Sequence, residues 1–102
     1  MRKLYFNVEG QKLSKNGDFS NIIRGTKGYL ECNFNFIGDD WKGCKLIAVF
    51  ERKNVEYAIP IKSRACIVPD EVTDSSSFIL KIIGVKDKQK ILTNRVLISQ
   101  EG

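Results

Sequence analysis

Cys32, Cys44 and Cys66 are the residues best suited by type to do chemistry in this sequence. A cysteine thiolate can attack an electrophile, bind a metal or pair as a disulfide. Their spacings of 12 and 22 residues contain no C-x-x-C. A structural zinc site takes four ligands, so three isolated cysteines would have to recruit a carboxylate. Histidine is absent. That removes Ser-His and Cys-His nucleophile pairs, His ligands to metals and the commonest general base near neutral pH. The cysteines therefore read as small buried hydrophobes of a reducing compartment, with one disulfide plus a free thiol left open. Asp39-Asp40 could begin a divalent-cation site, but no further oxygen ligand follows in Trp41-Lys42-Gly43-Cys44. The pair reads as a turn cap. No metal, no cofactor and no enzymatic activity are expected, because no nucleophile–base pair is evident.

The remaining polar signals concern binding. Lysines and arginines number 17 against 12 acids, a formal charge of +5. They are spread along the chain with acids among them. The densest cluster, Lys86, Lys88 and Lys90, lies between two apolar runs and reads as a solvated hairpin turn rather than a phosphate site. Tyr5 and Tyr29 are candidate stacking platforms for single-stranded nucleic acid, but Glu9 and Glu31 lie close by and no lysines concentrate beside them. Nucleic acid is therefore not an expected partner. The glycines are scattered and form no phosphate loop.

These residues must be positioned by a small frame. A chain of 102 residues supports one domain, residues 1–102, and is too short for a TIM barrel or a full dinucleotide-binding domain. Its 42% hydrophobic content argues against disorder. No stretch approaches the ~20 apolar residues of a membrane helix, and the N-terminal apolar run breaks too soon for a signal peptide. A soluble protein made in the cytoplasm and independent of membranes is expected.

The dominant periodicity is two, not 3.6. Leu30, Cys32, Phe34 and Phe36 alternate with Tyr29, Glu31, Asn33 and Asn35, as in a half-buried strand. Leu46, Ala48 and Phe50 alternate likewise, and so do Val55, Tyr57, Ile59 and Ile61. Pro60 places that last strand at an edge or a bulge, because proline donates nothing to a ladder. Lys53-Asn54 predicts a tight hairpin between the two runs. Phe78, Leu80 and Ile82 oppose Ile79, Lys81 and Ile83. Further short strands are expected over Leu4–Val8, Phe19–Ile23, Ala65–Val68, Ile91-Leu92 and Val96–Ile98, with a turn at Asn16-Gly17. One helical turn is expected at Asp39–Lys42 or Pro69–Val72. The pattern predicts an all-β, Ig-like sandwich of about 7–9 short antiparallel strands with at most one or two helical turns. The Ig-like label rests on strand number, since the Cys-Trp-Cys spacing is not matched.

Three fragments in order carry a family resemblance. The first is Lys27–Phe36 (KGYLECNFNF) with Asp40-Trp41-Lys42-Gly43 and Lys45–Phe50. The second is Cys66–Val72 (CIVPDEV). The third is Phe78–Val85 (FILKIIGV) with Leu92–Val96 (LTNRV). Together they resemble the small β-sandwich domain common in tail, baseplate and fibre proteins of phages that infect Gram-positive bacteria. They are similar to the N-terminal domain of upper baseplate and fibre proteins, over roughly residues 27 to 98. The resemblance implies a non-enzymatic structural or attachment module of the virion (baseplate, tail fibre or head decoration), made in the host cytoplasm. It would assemble with other phage structural proteins or with copies of itself. A small phage-encoded inhibitor of a host protein is the alternative; a basic nucleic-acid-binding barrel ranks below both.

On this reading Phe34, Phe36, Phe50 and Cys66 are structural. Trp41 closes one end of the sandwich, Pro69 ends a strand, Glu71 caps the turn that follows, and Gly84 allows a sharp bend before the lysine hairpin. Thr93-Asn94 makes a bulge or turn ahead of the last strand. The candidate interface lies on the edge strand, at Val55, Tyr57 and Ile59, and on the outward side of Ile79 and Ile83 with Ile47. Both alternating sets there carry large apolar residues, more than one sandwich face needs.

Overall fold

Alternation of apolar and polar residues becomes strand wherever both sets can be placed. The computed structural model describes residues 1–102. Its strands are β1 (Arg2–Glu9), β2 (Lys12–Asn16), β3 (Leu30–Ile37), β4 (Lys45–Arg52), β5 (Val55–Pro60), β6 (Ala65–Ile67), β7 (Ser77–Lys86), β8 (Gln89–Leu92) and β9 (Val96–Ser99). One 3-10 turn, Asp70–Val72, precedes β7. A four-stranded sheet runs β2-β1-β3-β6; a five-stranded sheet runs β5-β4-β7-β8, with β9 also on β7. The two sheets make a small all-β sandwich.

Between them lie Leu4, Phe6 and Val8 of β1, Cys32 and Phe34 of β3, Ala48 and Phe50 of β4, Phe78, Leu80 and Ile82 of β7, and Ile98 of β9. Phe6 stacks on Phe34 at 5.4 Å, and Phe50 packs on Phe78 at 6.0 Å between ring centres. Burying such rings is worth about 1.5–3 kcal/mol each.

Several turns follow from local chemistry. Lys53 and Asn54 both take left-handed φ, 51° and 64°, as a two-residue hairpin with right-handed strand twist requires. Pro60 sits in the edge strand. Because Ile61 N donates to Leu46 O, the Ile47–Pro60 pair is a non-hydrogen-bonded one, and the proline nitrogen points to the free edge. The edge is thereby deprived of a donor. Pro69, extended at φ −67°, leads into the 3-10 turn.

The structure departs from the sequence expectations in five places. β1 pairs with β3 in parallel, whereas the other six strand pairs are antiparallel. β2 is an additional strand: only Leu13 of its five residues is buried, so the segment shows no alternation of apolar residues. Phe19–Ile23 is not a strand; it contributes one bridge, Ile23 with Glu101. Glu71 makes no capping bond, and Asp70 instead accepts from Gly28 N at 3.2 Å. Gly84 does not bend the chain, since β7 runs straight through it.

Thr93–Arg95 is a bulge in one long edge strand. Leu92 pairs with Ile83 and Val96 with Leu80, so three residues face the two residues Lys81 and Ile82. The buried Thr93 hydroxyl accepts from Ile82 N at 2.9 Å and repairs the ladder. The bulge turns Asn94 toward the other sheet. There its amide accepts from Leu13 N at 2.6 Å and donates to Leu13 O at 3.1 Å, as a neighbouring strand would. One side of the sandwich is thus laced shut.

Candidate functional site

Residues of the five-stranded sheet that turn away from the core fall into rows across strands. Pro60, Ile47, Ile83 and Leu92 form one row over β5, β4, β7 and β8. Ala58, Val49 and Lys81 form the next, and Glu56, Glu51, Ile79 and Leu97 the one after. Ile47, Ile79 and Ile83 are half-buried, while Leu92 and Leu97 are 39% and 54% exposed. Lys81 Nζ meets Glu56 Oε2 at 3.0 Å. From its place opposite Val49, the lysine stem crosses that residue to do so, which accounts for Val49 being only 4% exposed on an outer face. Arg95 Nη2 meets Glu51 Oε1 at 2.7 Å. Each pair has one partner largely buried, Lys81 and Glu51, and the other open to solvent, so both mainly orient the charges. The result is an apolar band crossed by two ion pairs, since Lys81 stands in the row between Ile83 and Ile79 and Glu51 shares the row of Ile79.

The sequence candidates divide between the two faces of this sheet. Ile79 and Ile83 lie on the outer band. Tyr57 and Ile59 turn inward and pack against the core, and Val55 shares their face at the hairpin end. The five residues therefore do not make one patch, because register sends Val55, Tyr57 and Ile59 to the face opposite Ile79 and Ile83. The residues that complete the outer band, Pro60, Leu92 and Leu97, come from separate strands, and no local pattern joins them in sequence.

Of the structural candidates, Phe34, Phe50 and Cys66 are buried and Phe36 is partly so. Trp41, 4% exposed, fills the end of the sandwich. Its ring lies 5.7 Å from that of Phe36, and its Nε1 donates to Gly10 O at 2.8 Å. It also rests on Gly84, where a Cβ would lie 2.7 Å from ring atoms Cε3 and Cζ3. Glycine stands at position 84 to admit the indole.

Cys32 and Cys66 face each other across β3 and β6 as free thiols. The hydrogen bond between them and then burial push the Cys32 thiol well up. Cys44 is partly exposed beside Gly84. No three cysteine or acidic side chains converge as a metal-binding group. In the native protein one thiol, Cys44, is expected to react promptly with Ellman's reagent, the other two only on unfolding. Two prompt equivalents would show that the β3–β6 pair opens readily.

Asp39 pairs with Lys42 at 3.2 Å, both exposed, and Lys86 Nζ donates to Lys42 O at 3.4 Å. The lysine hairpin is solvated. Lys27 Nζ donates to Asp70 O, Thr73 Oγ1 and Asp74 Oδ1, and that bond lowers the Asp74 pKa. These contacts tie the loops together.

The outer face of the four-stranded sheet is of different character. Tyr5 stands there between Asn16 and Asn33, and Asn7 between Ser14 and Asn35. Compared with protein-family models, curated proteins and solved structures, the chain matches none.

Proposed function

We propose that this protein is a non-enzymatic structural or attachment module of a phage particle, in the baseplate, a tail fibre or the head surface, and acts by protein–protein assembly. The observation that carries the reading is the band of Ile47, Ile79, Ile83, Leu92 and Leu97 on an outer sheet face. A solvated antiparallel sheet alternates apolar-in and polar-out. Here the outer face carries five isoleucine and leucine side chains beside its two ion pairs, the mixed apolar and charged character of a face that meets another protein. The resemblance to phage baseplate and fibre domains supplies the class of partner, namely other phage structural proteins or further copies of the chain.

Ile83→Lys tests the face. The variant is expected to keep a cooperative melt and to lose assembly, measured by sedimentation and by incorporation into particles. Global unfolding of the variant would make Ile83 a core residue and remove the reading. Mass spectrometry of purified, nuclease-treated particles tests the setting. A fixed ratio to a major tail or capsid protein is expected. Abundance in infected cells with absence from particles would favour an inhibitor of a host protein instead.

A further inference from the structure

We propose that the outer face of the four-stranded sheet carries a saccharide-binding groove centred on Tyr5. Tyr5 lies on β1, an interior strand of its sheet, yet it is 50% exposed. Around it, Asn16, Asn33, Asn35 and the Ser63-Arg64 turn line a cleft of about 320 Å³, at the small end of the range for ligand sites.

The polar groups there have unspent capacity. Asn7 Oδ1 accepts only long bonds from Asn16 Nδ2 and Asn35 Nδ2, at 3.5 and 3.4 Å. The Tyr5 hydroxyl, the Ser63 hydroxyl and the Arg64 guanidinium have no partner within the molecule. The Asn16 and Asn35 amides each keep one N–H and a free oxygen side by side, the pairing that two adjacent sugar hydroxyls complete, while Asn33, whose Nδ2 is committed to Glu31, keeps its oxygen. An exposed tyrosine ring supplies an apolar surface for the C–H face of a sugar and a polar tip beside it.

Charge decides against other occupants. No carboxylate lines the cleft, and Glu31 is held by Asn33 Nδ2 at 3.1 Å. Arg64 is its only cation, since nearby Lys15 is placed over the Phe19 ring. A single nucleic-acid strand calls for a track of cations, and an apolar peptide calls for exposed apolar walls, whereas Phe6 and Phe34 beneath the cleft are only 1% and 3% exposed. A second observation marks the same place. Ser63 and Arg64 both take left-handed φ, 53° and 61°, in a two-residue turn that ordinarily holds Asn-Gly. Strain of that kind gathers at ligand clamps, and here it sets Arg64 at the cleft wall.

The groove is on the sheet opposite the assembly band and does not depend on it. The test is an array of neutral β-glucans, N-acetylglucosamine oligomers and uronate polymers, with a dT oligonucleotide as the competing probe. The protein is expected to retain at least one glycan with a Kd on the order of a millimolar or tighter. Tyr5→Ala and Asn35→Ala are each expected to weaken it at least ~10-fold with the melting temperature unchanged. Retention of no glycan, or retention that survives Tyr5→Ala, overturns the proposal. Tyr5-dependent binding of the oligonucleotide alone overturns it in favour of nucleic acid.

Discussion

Gly84→Ala is expected to lower the melting temperature by roughly 10 °C, the equivalent of about 2 kcal/mol of overpacking in a domain of this size. The added methyl carbon would sit 2.7 Å from two carbons of the Trp41 ring and 3.3 Å from Cys44 Cβ. The indole cannot easily withdraw. Phe36 lies against it, and its Nε1 is bonded to Gly10 O. A shift of the ring would break that bond or open a void beside Phe36. A double-mutant cycle isolates the cause. Trp41→Ala alone should cost about 3–5 kcal/mol, and Gly84→Ala added to it should cost almost nothing more. Equal costs in both backgrounds would mean that Gly84 matters for its backbone and not for the indole.

Gln100→Glu is expected to cost at least ~3 kcal/mol at neutral pH, because it sets a charge among carbonyl oxygens with no compensating donor. Gln100 is 8% exposed. Its Nε2 donates to Ser75 O at 2.8 Å, Thr73 O at 3.3 Å and Val72 O at 3.4 Å. Its Oε1 is buried without a partner. A carboxylate has no proton for those carbonyls, so the introduced acid would be driven to protonate in the folded state. A folded pKa raised above the unfolded one contributes stability at low pH that is lost as pH rises through it. The variant should therefore approach the parent near pH 4 and fall away above it, read from urea midpoints across pH. A pH-independent deficit would show that the carbonyl cage accommodates a carboxylate.

The positions of the sheets' central strands were legible because their chemistry is local. In β3, Leu30, Cys32 and Phe34 face inward and Glu31, Asn33 and Asn35 do not, and any reading at period two finds them. Lys53-Asn54 and Pro60 likewise act through their own backbone. β2 was hidden because only Leu13 of its five residues is buried, so it shows no alternation, and its free side is held by the Asn94 amide, 81 residues off. The parallel β1–β3 pairing has no signature in either strand. Phe19–Ile23 is apolar enough for a strand, but it forms a single bridge, Ile23 with Glu101, made by bonds of Glu101 to the flanking Ile22 and Arg24. The site was legible in part. An excess of isoleucine on both sides of β7 announced a second apolar face, whereas the Asn–Tyr groove draws on three strands and a turn.

The Asn94 clip also bears on the order of events in folding. Hairpins β1–β2 and β4–β5 close over two residues each and can form within microseconds. The lacing of β2 to the bulge needs residues 13 and 94 together, and the backbone of Glu101 bonds to Ile22 and Arg24. These steps carry the largest loop-closure entropy and come last. Folding should accordingly be a millisecond-to-second process limited by docking of the two sheets. On the ribosome, the sandwich stays open until its ninth strand has emerged.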